Sequence, residues 1–436
     1  MPGSEAMGVV MATGTKPAGI EASYEPVDWH PAGLPVDPDE LIAAVLDPSK
    51  RGELYPLFHQ LRRVAPLHRN PPHLFHGGIT VARFDHADTM FKNARIVNDP
   101  KVVDEAFVKG DGSFTDIMRT VLVWQEPEPH QRVRNLVKAA FTPRAMARWR
   151  PIAEQVAGEL CDRMAAEGHA DLVAQYNEEL PFTVIARVLG VPDEDIPTIK
   201  AMSYDFARMA ERELPEDMLR KGDAAARGLI GYFTDLVERR RSAPGDDLLT
   251  SLIAAEADGE RLTHTELIAN AILLMQAGHE TTQDLLGSAQ VALFRHPDQL
   301  RLLRDRPDLT RNATEEFLRY EPSVQLNHRI ALDGATVDGV DIPKGDMVCI
   351  FLGAVNRDPE RFPDPDRLDI TRDVTHHLAF SFGAYYCLGA ALARTEISVG
   401  IRTLLDRFPG LRPATDSFEW RATLALRGPQ TIEATW

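Results

Sequence analysis

The sequence predicts a mainly α protein with small, segregated β-sheets. Two patterns carry that expectation. Apolar residues recur three and four apart through most of the 436 residues, the period of a helix with one buried face. Runs rich in β-branched residues are few and sit in three places, bounded by turn signals. Leu54–Arg63, His86–Lys92, His130–Phe141, Ile152–Ala166, Glu178–Leu189, Met218–Arg239, His264–Leu293, Leu309–Tyr320 and Leu388–Phe408 read as helices, punctuated at Pro143, Pro181, Pro192 and Pro297. Ile79–Arg83 reads as a strand. Residues 328–355 read as consecutive hairpins, turning at Asp333-Gly334 and Asp338-Gly339 before Met347–Leu352. A last strand pair is expected within Trp420–Trp436.

Composition narrows the function classes. No repeat, Ser/Gly-rich linker or low-complexity tract follows residue 40, so residues 26–436 are expected to form one domain behind a loose Gly/Ala/Pro-rich arm, 1–25. Lys and Arg number 48 against 65 Asp and Glu, a net charge of −17. That balance argues against nucleic acid and anionic membrane as partners. Three cysteines, Cys161, Cys349 and Cys387, cannot build a disulfide framework or a four-cysteine cluster and suit a reducing cytoplasm. The longest apolar stretch, Leu267 to Gly278, is interrupted by Asn270 and Gln276 and is too short to span a bilayer. No signal segment is expected either.

Cys387 closes the run Phe380-Ser-Phe-Gly-Ala-Tyr-Tyr-Cys387-Leu-Gly389, which empties into a helix-forming stretch. A thiol at a helix mouth faces unpaired N–H groups and the positive dipole end, both of which favour thiolate. Gly383 and Gly389 let backbone approach a flat ligand closely. Such a thiolate could ligate haem iron; a buried structural cysteine is the plain alternative.

Three further motifs stand upstream. Ala277-Gly278-His-Glu280-Thr281-Thr lies mid-helix, where Gly and paired Thr are poor choices. It reads as a close helix crossing or as a distortion placing an acid beside an alcohol. Glu316 and Arg319 sit at i,i+3, ordinarily an exposed pair. His130 and Arg134 share a helical face, ordinarily a solvated one.

Together these strings resemble the cytochrome P-450 monooxygenases, over roughly residues 50–430. The resemblance implies that family's fold, a helix-rich triangular domain with small sheets. It makes Cys387 the axial ligand of haem b. It implies that Thr281 holds the bound oxygen species and its waters while Glu280 relays protons. His130, Arg134 and Arg329 would bind the propionates. Ala277, Gly278, Phe380, Gly383 and Gly389 would lie against the macrocycle. Glu316, Arg319 and Arg367 would brace the cysteine loop. Two departures stand out: Tyr385 occupies a place usually held by His or Arg, a neutral donor to a propionate, and Ser381 one where Gly is common.

The implied reaction inserts one oxygen atom from O2 into an apolar compound, by hydroxylation or epoxidation. Steroids, terpenoids, polyketides and fatty-acid-like compounds fit equally. The 101–123 loop, Leu274, Ala277, Val324, Gln325, Leu326, Asn327 and Leu424–Ala425 fall on the family's substrate-lining segments, with Gln325 and Asn327 as polar handles. Only 49 residues follow Cys387, so no flavin or iron–sulfur module is expected. Electrons would come from NAD(P)H through a reductase and a separate ferredoxin, steered by Arg132, Lys138, Arg144 and Arg148. The missing anchor suggests a soluble, cytoplasmic, bacterial-type member. A peroxide-driven peroxygenase and a non-catalytic haem-thiolate sensor or recruitment protein are the alternatives, the retained Glu280–Thr281 pair weighing against both. A haem-free cysteine enzyme with His376 or His377 as base leaves the other motifs unexplained.

Overall fold

The computed structural model describes residues 33–98, 112–209, 214–255, 259–374, 376–423 and 425–436. The expected arm 1–25, residues 101–111 of the expected substrate loop, and Leu424 lie outside the described residues. The helices are α1 (Pro38–Leu46), α2 (Leu54–Val64), α3 (Phe84–Lys92), α4 (Ser113–Thr120), α5 (Pro127–Ala140), α6 (Pro143–Met164), α7 (Glu179–Leu189), α8 (Ile196–Arg208), α9 (Glu216–Ser242), α10 (Leu248–Ala254), α11 (His264–Ala277), α12 (Glu280–Arg295), α13 (Pro297–Asp305), α14 (Thr310–Tyr320), α15 (Leu352–Val355) and α16 (Ala390–Arg407). The strands are β1 (Leu67–Arg69), β2 (Ile79–Val81), β3 (Ile96–Val97), β4 (His169–Asp171), β5 (Leu326–Ala331), β6 (Ala335–Val337), β7 (Val340–Ile342), β8 (Met347–Phe351), β9 (Arg412–Pro413) and β10 (Glu433–Thr435). The mainly α class with small separate sheets is what the sequence predicts.

Local chemistry sets the helix ends. Thr142 caps α6 by accepting from the Ala145 N–H, and Pro143 fills the first position, where no N–H is needed. The helix therefore begins nine residues before the expected Ile152 and runs through Pro151. Thr263 and Glu266 form a capping box at the start of α11. The single helix expected over His264–Leu293 is two, α11 and α12, separated at Gly278 and His279. Gly278 has no room for a side chain. A Cβ there would lie 2.8 Å from Leu274 O and 2.9 Å from Ile185 Cγ1, so α7 packs directly on the break.

The strands depart from a run of consecutive hairpins. β5 pairs antiparallel with β8, and β6–β7 form a separate ribbon between them. Asp338 and Gly339 turn that ribbon, with φ of 48° and 76°, the mirror-image turn such two-residue loops favour. The larger sheet runs β1-β2-β8-β5-β3, with β2 and β8 parallel. At the C-terminus, Trp420 and Pro429 make only an isolated bridge. The last strand, β10, pairs instead with β4 and β9.

The main apolar core lies among α6, α7, α9, α11, α12 and α16. A second core sits under the larger sheet, from Ile79, Val81, Val348 and Ile350. A third joins α1 and α2 to Phe351. The candidate site opens between the first two.

Candidate functional site

Cys387 lies in the loop between a short turn at Gly383–Tyr385 and α16. Its backbone N–H donates to Phe380 O at 3.1 Å, closing the loop on itself. Enclosure by protein raises the thiol's pKa. Donation to the sulfur from the Gly389 and Ala390 N–H groups, and the guanidinium charges of Arg134 and Arg394, pull the other way. The surface of Cys387 that remains open faces a cavity of about 300 Å³. A Cβ on Gly389 would stand 3.9 Å from the sulfur.

The α11–α12 break forms another wall of the cavity. Ala277, Gly278, Thr281 and Thr282 all line it. The Thr281 hydroxyl donates to Ala277 O at 3.0 Å, leaving its lone pairs free to accept. Glu280 does not line the cavity. It lies near His279 and Asp284, so the neighbouring acid and alcohol face different surroundings.

A cluster of hydrogen-bond donors forms a third side. His130 and Arg134 line the cavity from α5, and Tyr385 lines it from the cysteine loop. The His130 and Tyr385 rings stack 4.2 Å apart. Burial, with Arg134 and Arg329 close by, holds His130 neutral, its pKa down to about 4. Its Nε2 is buried without a partner. Arg134 donates to Tyr386 O at 2.5 Å. Arg329, on β5, does not itself line the cavity; its guanidinium lies over the Tyr385 and Phe91 rings, 5.2 Å from each. It also donates to Ser381 Oγ at 3.0 Å and to Asn327 Oδ1. Burial lowers its pKa to about 10, and no carboxylate among the described residues pairs with it. A buried guanidinium, Arg329, a half-buried one, Arg134, and an unpartnered ring nitrogen, with no carboxylate among the described residues ion-paired to them, are a donor set that fits an anionic ligand.

Ser381 holds φ at 61°, the left-handed region that suits glycine. The loop therefore keeps the path a glycine would give, and the hydroxyl meets Arg329. Gly383, φ 71°, does not line the cavity; a Cβ there would lie 2.8 Å from Phe91 O. Phe380 does line it, under the Arg394 guanidinium at 4.6 Å.

Glu316 and Arg319 are wholly buried and joined by two bonds, Nε–Oε2 at 2.8 Å and Nη2–Oε1 at 2.9 Å. Arg319 also donates to Asn356 O and Pro365 O. Asn356 Oδ1 in turn accepts from the Leu378 N–H, two residues before Phe380. The second arginine on Glu316 is Arg372, at 3.3 Å, not Arg367. The Arg372 N–H returns to Asp369 O, which swings its side chain back to the acid; Arg367 offers only its carbonyl, to Arg372.

Leu274, Ala277, Val324 and Asn327 line the cavity as expected. Gln325 and Leu326 do not. Gln325 donates to Pro322 O and packs on Gly353, and Leu326 packs into the core around α1 and α2. Asn98, Ile185, Leu248 and Leu352 join the wall without any sequence signal. Of the expected docking cations, Arg132 is engaged by Glu260 and Glu266, and Arg148 by Asp246. Lys138 makes no ion pair among the described residues, and the Arg144 side chain lies outside them. No helix among the described residues is long and apolar enough to cross a membrane.

Comparison with known proteins agrees with this geometry. The model of the family Cytochrome P450 matches residues 198–420. The 6-deoxyerythronolide B hydroxylase of Saccharopolyspora erythraea is 36% identical over 389 residues, 86% of this chain and 94% of that protein. The polyketide biosynthesis cytochrome P450 PksS of Bacillus subtilis is 36% identical over 360 residues, 81% of this chain and 87% of that protein. The crystal structure of P450BioI with an acyl carrier protein bearing hexadec-9Z-enoic acid superposes with a TM-score of 0.82 at 30% identity, covering 90% of this chain and all of that one. A cysteine, a broken helix and a basic cluster thus meet at one cavity in a chain whose relatives include a 6-deoxyerythronolide B hydroxylase: it belongs to the cytochrome P450 family of haem monooxygenases.

Proposed function

We propose that residues 26–436 form one domain that hydroxylates or epoxidises a sizeable apolar substrate, of polyketide, steroid, terpenoid or fatty-acid type. Electrons would travel from NAD(P)H through a reductase and a ferredoxin, in the cytoplasm. The observation that carries this reading is the one cavity lined together by Cys387, Thr281, His130 and Arg134.

Haem b would be held by the Cys387 sulfur and, at its carboxylates, by His130, Arg134, Tyr385 and, behind Tyr385, Arg329. When bound, it supplies O2 activation and the transfer of oxygen. The chain's own residues do the rest. The N–H groups of Gly389 and Ala390 hold negative charge on the sulfur. Thr281 Oγ accepts a proton and, releasing its bond to Ala277 O, passes its own into the cavity. Glu280, which does not itself line the cavity, replaces that proton. Apolar walls from Leu274, Val324, Ile185 and Leu248 exclude water and take up the substrate, and Asn327 is the polar handle that remains. Relatives named for 6-deoxyerythronolide B hydroxylation and polyketide biosynthesis support placing polyketides first among the candidates.

The test is spectroscopic. Reduced recombinant protein under carbon monoxide should give a thiolate-type Soret band. A panel of macrolactones, steroids, terpenes and fatty acids should then be screened for displacement of axial water, with macrolactones binding tightest. A protein with ample porphyrin and no thiolate-type band would overturn the proposal.

A further inference from the structure

Asp284 stands one helical turn after Glu280 on α12 and is 1% exposed. Neither carboxyl oxygen has a hydrogen-bond partner. Its one ion-pair partner among the described residues is Arg421, Nη1 to Oδ1 at 3.4 Å. Arg421 also lies 3.9 Å from Glu178, at the partly exposed rim. The far side is closed by backbone: Gly428 packs so tightly on the Asp284 carboxyl that a Cβ there would collide with it. Gly428 O accepts from the Arg421 N–H at 2.9 Å, so one loop supplies both the lid and the cation.

A carboxyl buried without hydrogen bonds is costly, and its usual relief is to bind a proton. The groups facing it are Arg421 from the C-terminal loop, Glu178 from the turn before α7, and Glu280 on its own helix. Beyond them lie His279, against Phe182, and the Lys200–Glu179 pair. Burial first, then the two acids, outweigh Arg421 and push its pKa to about 7. The cluster thus places a neutralisable acid between a solvent-facing rim and the acid that the reading above needs reprotonated.

We propose that Asp284 is a proton-relay residue for this site, loaded from solvent at the Glu178–Arg421 rim and discharging to Glu280. This rests on the role given to Glu280 and Thr281. In the step, an O–H bond of Asp284 breaks as one forms on Glu280, directly or through water. Bulk solvent then restores the proton, and no electron moves. Asp284 acts through Glu280 and is a positioning residue, not a catalytic one.

Two measurements on the haem-loaded protein test it. The first is infrared difference spectroscopy between pH 6 and pH 8. A protonated-carboxyl band should be present at pH 6, fade by pH 8 and be missing in Asp284→Asn; a spectrum identical in wild type and variant overturns the proposal. The second is hydrogen peroxide released per NADH consumed, with a plant-type ferredoxin and its reductase, from pH 6 to 8. Asp284→Asn should keep the carbon monoxide spectrum, raise peroxide release several-fold and flatten its pH dependence, with Asp284→Glu restoring the profile. Because the acids act in series, Glu280→Gln with Asp284→Asn should be no worse than Glu280→Gln alone. Multiplied effects place Asp284 outside the relay and overturn the inference alone. A Glu280→Gln variant with wild-type peroxide release overturns the role of Glu280 and the inference with it.

Discussion

Arg319→Met removes a guanidinium while keeping much of its volume. Four hydrogen bonds go: two to Glu316, one to Asn356 O and one to Pro365 O. Breaking one side of a buried ion pair costs about 3–5 kcal/mol, because the other charge stays buried. Glu316 retains the Asp369 N–H at 3.0 Å and Arg372 at 3.3 Å, which places the cost near the middle, about 4 kcal/mol. Unfolding entropy of about 2.1 cal/mol/K per residue gives about 0.9 kcal/mol/K for this chain, so Tm should fall by only about 4 °C. A larger effect is expected on haem retention, since the lost bonds hold Asn356, whose side chain positions Leu378 at the entry to the cysteine loop. The assay pairs calorimetry of the haem-loaded protein with the rate of haem transfer to apomyoglobin. Adding Glu316→Gln should restore part of the stability, because the uncompensated charge is then gone. Wild-type Tm and haem transfer in Arg319→Met, or costs that simply add in the double variant, would refute the bracing role.

Three shorter expectations follow from the same geometry. Thr281→Ala should keep haem and the carbon monoxide spectrum but divert electrons to hydrogen peroxide, seen as peroxide per NADH; unchanged coupling would contradict the relay. Ser381→Ala should destabilise more than Ser381→Gly in thermal melts, since Ala keeps the φ of 61° and loses the Arg329 bond, whereas Gly relieves the strain, of order 1–3 kcal/mol. Glu396 is buried on α16 near the Thr282 hydroxyl, and burial, outweighing that hydroxyl, holds its pKa well above the ordinary carboxylate value. A raised folded pKa means the folded state binds the extra proton, so this stabilising contribution is complete below about pH 4.5 and is lost as pH climbs towards the folded value. Glu396→Gln should therefore melt above wild type at pH 8 and close to it at pH 4.5; the reverse ordering in a pH series would sink the assignment.

The cysteine loop was legible because its chemistry is local: ten residues hold the sulfur, its flanking glycines and the start of a helix. Long amphipathic helices were legible for the same reason. What the sequence hid is tertiary. Nothing local says that β5 skips the β6–β7 ribbon to pair with β8, or that Gly278 must be bare because Ile185 arrives from another helix. Arg367 and Arg372 are equally plausible by spacing; the turn at Asp369 chooses between them. Gln325 and Leu326 sit beside cavity residues in sequence yet turn into the protein, while Asn98, Ile185, Leu248 and Leu352 reach the cavity from a loop and three separate helices. The surface cations read as a docking patch were partly spent on neighbouring acids, the ordinary fate of arginine on a chain with a large acidic excess.

The parallel pairing of β2 with β8 joins Ile79 to Val348 across more than half the polypeptide. A ribosome therefore releases the first helices and β2 long before their partner strand exists. Contacts of such sequence separation form late. The early segments wait meanwhile with the apolar faces that β8 will cover still open, the state in which chains of this size aggregate most readily. The sulfur-bearing loop emerges later still, so the pocket that receives the cofactor cannot close until both β8 and that loop have been made.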